Sequence, residues 1–269
     1  MGMRSKSPAR IATLALVTVS WCLVCMAQGS PAKTKTKEPD AIDPLALKVL
    51  KAVIDPIMEA KDFEFHALVA EEHLGTNNQV ITKFRVEHIT MARPDKLKVE
   101  VKRAGNDLEF YLGNGKATLY SPQKKLFTTV AAPTTIDAAL KKLSEKDISF
   151  VFSNLLESDP YKSLITGVKS AYVIGQTKIL EETVHQLAFT DANSDWQVWV
   201  TGGDNPRLLR AEIVDRSTPE RLRTNVTFLD WNFTPTIQEG TFAFQKPDDA
   251  KQIQLAQEGQ AQSKMEAKQ

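Results

Sequence analysis

The chain has 269 residues, and 42% apolar against 25% charged residues is the balance of an ordinary soluble globular protein. A formal net charge of +1 leaves no electrostatic reason to expect nucleic acid or a strongly acidic partner. No internal repeat is evident.

Residues 1–29 read as a signal peptide. Arg4, Lys6 and Arg10 form a basic leader, and residues 11–26 form an apolar stretch too short for a comfortable membrane span. Ala27-Gln28-Gly29 places cleavage before Ser30, with cleavage after Ala27 as the alternative. Cys22 follows Trp21 and Cys25 follows Val24, so neither fits the acylated cysteine of a lipoprotein signal. Both cysteines fall within the signal. The mature chain is therefore expected to have no disulfide, no thiolate nucleophile and no cysteine-bound metal. Residues 30–42 read as a disordered polar linker, 43–250 as a single domain and 251–269 as a polar tail.

Residues 43–62 are predicted to form a helix, with Asp43 as N-cap and Pro44 in its first turn. Leu45, Val49, Leu50, Val53, Ile54, Ile57 and Met58 form its apolar stripe. Pro56 predicts a kink or break near Asp55. Residues 63–72 and 79–91 then form a hairpin through 74–78. The expected register sets Phe65 opposite Val86, Phe63 opposite His88 and Ala67 opposite Phe84, with all six on one face. It separates His66 from His88, which argues against a histidine metal site.

Residues 93–130 hold the clearest pattern. Leu97, Val99 and Val101 alternate with Lys96, Lys98, Glu100 and Lys102, the period of a half-buried strand. Gly105-Asn106-Asp107 turns the chain, Leu108, Phe110 and Leu112 resume the alternation, and Gly113-Asn114-Gly115 turns it again. Residues 117–120 and 125–130 complete an antiparallel meander. Helices are predicted at 134–145, 148–156 and 161–168. Further strands are predicted at 171–180, 182–190, 197–201, 207–215, 221–233 and 241–244.

The order Arg93-Pro94-Asp95-x-Leu97-x-Val99-Glu100, then Tyr111 through Asn114-Gly115-Lys116 to Leu119-Tyr120 and Pro122, resembles the core of the bacterial lipoprotein-carrier superfamily, the LolA/LolB-like fold. Within it the chain is similar to an uncharacterised family of predicted periplasmic proteins, domain of unknown function 2092. The resemblance covers about residues 43–251. It implies a mainly β, α+β fold: a strongly curved antiparallel sheet forming a half-open barrel, with its concave side covered by helices. In such carriers the arginine of the matching Arg-Pro hydrogen-bonds the lid helices and holds the cavity closed. The resemblance therefore assigns Arg93 the part of a lid latch, with 148–156 as the lid.

The sequence contains no nucleophile elbow, phosphate-binding glycine loop, zinc-binding His-Glu-x-x-His or dinucleotide fingerprint. The expectation is a non-catalytic periplasmic carrier or binding protein for a lipid or for lipoprotein acyl chains. It would be a monomer without cofactor or metal, with envelope membrane proteins as candidate partners. Phe65, Phe84, Val86, Leu97, Val99, Val101, Phe110 and Leu112 are its expected cavity residues. An envelope sensor on the same fold, a structural protein with a filled interior and a hydrolase with an unrecognised site are the alternatives.

Overall fold

The computed structural model describes residues 41–145, 150, 152–179 and 181–254. The expected signal peptide, nearly all of the linker and the tail from 255 onward lie outside the described residues. So do residues 146–149 and 151 of the expected lid.

The first six strands are β1 (Asp62–Leu74), β2 (Val80–Ala92), β3 (Lys96–Arg103), β4 (Leu108–Gly113), β5 (Lys116–Ser121) and β6 (Leu126–Ala131). They form a meander because each connection is a tight turn. At β4–β5, Gly113 pairs with Lys116 across Asn114 and Gly115, both at positive φ (52° and 69°). Asn and Gly adopt that backbone with the least strain. Strands β7 (Ser170–Ile179), β8 (Glu182–Thr190), β9 (Ser194–Thr201), β10 (Leu208–Asp215) and β11 (Arg223–Asn232) form a second meander. Strand β11 pairs with β1 and joins the two halves, so Glu71 on β1 lies beside Thr224 on β11. The result is one open, curved, mainly antiparallel sheet of order β12-β6-β5-β4-β3-β2-β1-β11-β10-β9-β8-β7, in which β12 (Lys251–Gln252) alone runs parallel to its neighbour.

Helix α1 (Pro44–Glu59) begins where the Asp43 carboxylate accepts the Leu45 N–H at 3.0 Å. Ala46, Leu50, Val53, Ile54 and Ile57 recur at three- and four-residue spacing and are all buried. α1 runs unbroken through Pro56, against the expected break. Pro56 sits in the last turn and removes one bond there, while the Ala60 N–H still reaches the Pro56 carbonyl at 3.1 Å. Helix α2 (Ile136–Ser144) is capped by Thr135 and helix α3 (Pro160–Ile165) by Asp159. Between them lies a short 3₁₀ helix, Ser153–Leu156. The expected helix over 148–156 is not continuous, because Phe152 has φ 58°, outside the right-handed helical region. Ile54, Ile57, Ile136, Leu140, Leu155 and Leu156 share one apolar core with Phe63, Phe65, Ala67 and Val69 of β1, Ile89 and Met91 of β2, and Leu97, Val99 and Val101 of β3.

Two further expectations are corrected. Phe65 pairs with Ile89, Leu68 with Val86 and Ala70 with Phe84. The loop between Leu74 and Val80 spans five residues, closed by Gly75 N–H to Gln79 O (2.8 Å) and Asn78 N–H to Gly75 O (3.0 Å). That loop shifts the pairing by three residues, and an odd shift moves a strand's side chains to the other face. Phe84 and Val86 therefore lie on the outer face, 63% and 40% exposed, and are not cavity residues. His66 and His88, expected on opposite faces, pair directly with ring centroids 4.3 Å apart. Residues 241–244 form a turn, not a strand, with the Ala243 N–H on the Gly240 carbonyl at 2.9 Å. This segment places Phe244 among Tyr111, Tyr120 and Phe127. Gly113 leaves room for it, since a Cβ there would lie 3.3 Å from the Phe242 carbonyl oxygen.

Candidate functional site

Arg93 follows the last residue of β2, where Ala92 pairs with Asp62, and its own N–H reaches the Lys61 carbonyl at 2.8 Å. The Arg93–Pro94 peptide is cis. The side chain runs beneath the end of α1. Nε donates to the Ala60 carbonyl (3.3 Å), Nη2 to the Ile57 carbonyl (3.4 Å) and Nη1 to the Glu157 carbonyl (2.9 Å). Ile57 lies in the final turn of α1 and Ala60 is its C-cap, where the last carbonyls lack helical partners. Glu157 follows the 3₁₀ helix directly. A planar guanidinium with five donors suits three divergent carbonyls, where a lysine ammonium would not. The Arg93 guanidinium carbon also sits 6.0 Å from the Phe63 ring centre.

The same junction gathers the other covering segments. The Pro94 carbonyl accepts the Ile136 N–H that opens α2, at 2.9 Å. Asp137 accepts the N–H of Ser158 (2.9 Å) and its hydroxyl. Burial pulls the Arg93 guanidinium below its usual value, and the nearby Asp137 carboxylate opposes that pull. Arg93–Pro94 thus ties α1, α2 and the segment after the 3₁₀ helix to one end of β2.

Of the expected cavity residues, Phe65, Leu97, Val99, Val101, Phe110 and Leu112 are buried, none more than 8% exposed. They face the core shared with the helices. A cavity of about 290 Å³ opens beneath the 3₁₀ helix and α3, lined by Phe152, Asn154, Leu164, Asp191, Trp196 and Ile213, among others. Its volume is near the lower end of the range for small-ligand sites, roughly 300–1,000 Å³. The expected strand at 197–201 stopped one residue short of Trp196. Its alternation with Val198 and Val200 was the signal available for that residue.

Residues 46–256 match the family described as "Predicted periplasmic protein (DUF2092)". The chain belongs to this family. No curated protein matches it. Among solved structures, the DUF2092 chain is similar to the Mycobacterium tuberculosis lipoprotein LppX, with 13% identity over 72% of this chain and 98% of that one, TM-score 0.46. It is similar to LprF from Mycobacterium bovis at 12% identity, over 78% and 100% of the two chains, TM-score 0.44. A LolA superfamily protein from Nitrosomonas europaea gives 10% identity over 74% and 97%, TM-score 0.33.

On the outer face of this DUF2092 chain, the His88 ring lies 3.4 Å from Glu100 and 3.7 Å from Glu64. Asp230 is 3.3 Å from His66 Nδ1 but out of hydrogen-bonding alignment. Among the described residues, no group of three or more His, Cys, Asp or Glu is arranged to hold a metal ion.

Proposed function

We propose that this chain is a non-catalytic carrier or binding protein for a hydrophobic ligand, a lipid or the acyl chains of a lipoprotein, in the periplasm. Its sheet is read as a half-open barrel with the concave side covered by helices. Arg93 is the latch that holds the cover, and the segment from the 3₁₀ helix through α3 is the lid. The observation that carries this reading is that one arginine side chain holds three backbone carbonyls from two covering segments. Such bonds break together when a single side chain moves. The cavity beneath the 3₁₀ helix and α3 gives the lid something to open. Phe65, Leu97, Val99, Val101, Phe110 and Leu112 would form the apolar wall exposed as the cover lifts. Burial of a sixteen-carbon chain supplies on the order of 12 kcal/mol gross, before ordering costs. Lipid or acylated lipoprotein is then the cargo, envelope membrane proteins are its donor and acceptor, and the working form is a monomer.

A second reading, a structural protein with a filled interior, is favoured by the near-complete burial of those six residues. Titration with an apolar fluorescent probe separates the two. The carrier reading expects saturable binding and displacement by added lipid; a filled interior expects neither. Export is tested independently by amino-terminal sequencing of the mature protein. The expected start is Ser30 or Gln28, and an intact Met1 or an acylated Cys22 or Cys25 would contradict it.

A further inference from the structure

On the core-facing side of β1, β2 and β3, side-chain character changes toward the same end of each strand. On β1, Phe63, Phe65, Ala67 and Val69 give way to Glu71 and His73. On β2, Met91 and Ile89 give way to Glu87, Arg85 and Lys83. On β3, Leu97, Val99 and Val101 give way to Arg103. The register brings the charged ends together, with Glu71 opposite Lys83 and Arg85 opposite Arg103. They border a cavity of about 300 Å³ lined by Glu71, His73, Lys83, Phe84, Arg85 and Arg103.

The cations there are unequally satisfied. Arg85 is held by Glu71 and by Glu87, the latter at 2.7 Å, and Glu87 is only 3% exposed. Arg103 faces Arg85 across the strands, an arrangement of like charges that is unfavourable by itself. Its side chain donates Nε to the Asn106 carbonyl at 2.8 Å, and among the described residues it has no carboxylate partner. Lys83 is exposed and, among the described residues, has no ion-pair partner. The two cations with unused donors thus border one cavity, at the charged end of an apolar face. The seven residues from Leu97 to Arg103 span about 20 Å along β3.

We propose that this rim binds the anionic headgroup, a phosphate or carboxylate, of a single amphiphile whose apolar part lies along the adjoining apolar face. Lys83 and Arg103 supply the charge-assisted hydrogen bonds, and Arg85 stays committed to its two carboxylates. This rests on the hydrophobic-ligand reading above and adds the sign and place of the ligand's charge.

The test uses a fluorescent fatty acid and its methyl ester, with the wild-type protein and the double variant Lys83→Glu/Arg103→Glu. The wild type is expected to prefer the acid by about tenfold, the equivalent of one charge-assisted hydrogen bond. The variant is expected to lose that preference while its affinity for the ester is kept. Because the readout is a ratio of two affinities, a partly unfolded variant does not mimic the result. Equal affinity of the wild type for acid and ester overturns this inference and leaves the hydrophobic-ligand reading standing. Failure to bind either probe overturns both. Inorganic phosphate binding as tightly as the fatty acid makes the rim a free-anion site and overturns the amphiphile. Sedimentation with phosphatidylglycerol vesicles that depends on Lys83 and Arg103, without any acid preference, makes it a membrane-contact surface and likewise overturns the proposal.

Discussion

Replacing Phe63 with alanine is expected to lower the unfolding free energy by about 3–5 kcal/mol, the range for removing a fully buried aromatic ring. Phe63 is 0% exposed. Its ring centre lies 6.2 Å from that of Phe65 and 6.3 Å from those of Trp231, on β11, and Phe233, just after β11. It also underlies the Arg93 guanidinium. A smaller side chain would open a void that three rings and a cation cannot fill without moving. Phe84→Ala is the matched control. Its ring is 63% exposed, so the expected change is within about 0.5 kcal/mol. Urea denaturation followed by tryptophan fluorescence reads both as shifts in midpoint at constant slope. A loss for Phe84→Ala as large as that for Phe63→Ala would contradict the β1–β2 register that sets Ala70 opposite Phe84.

Arg93→Leu is expected to speed uptake and release of an apolar probe by at least about tenfold, as if a restraint of one to two kcal/mol on opening were removed. The loss of unfolding free energy is expected to be about 1–3 kcal/mol, the range for leaving part-buried carbonyls without their donor. Leucine keeps much of the stem's packing on Phe63, so it removes chiefly the donors. Arg93→Lys keeps the charge but cannot hold three carbonyls at once, and is expected to fall between wild type and Arg93→Leu. Stopped-flow fluorescence measures the rates. Unchanged kinetics with the same stability loss would make Arg93 a structural clamp and remove the latch.

The meander from β3 to β6 was legible because alternation and turn chemistry point the same way there. Asn114-Gly115 both permits the turn and sits between two apolar–polar runs. The pairing of β1 with β2 was not legible, because either register aligns apolar residues with one another. What decides it is the hydrogen bonding inside the loop at Gly75 and Asn78, which hydropathy does not report. The single residue Phe152 defeated the expected helix at 148–156, since nothing in its side chain announces a left-handed backbone. At the site, Pro94 marked Arg93 as lying at a strand end. The partners at Ile57 and Ala60 lie 36 and 33 residues away along the chain, and sequence spacing does not indicate which helix end an arginine will meet. Trp196 and Ile213, which line the cavity, sit on strands whose alternation was visible, but which strands lie beneath the 3₁₀ helix is a matter of tertiary packing.

Mass spectrometry of organic extracts from the mature protein, purified from envelope fractions without detergent, tests the central claim most directly. The account predicts a lipid or lipoprotein-derived species near one equivalent per chain in the wild type, reduced in Arg93→Leu as the cargo exchanges during purification. Extracts free of lipid from both proteins, together with no apolar probe binding by either, would contradict it and leave a sheet whose interior is filled by its own helices.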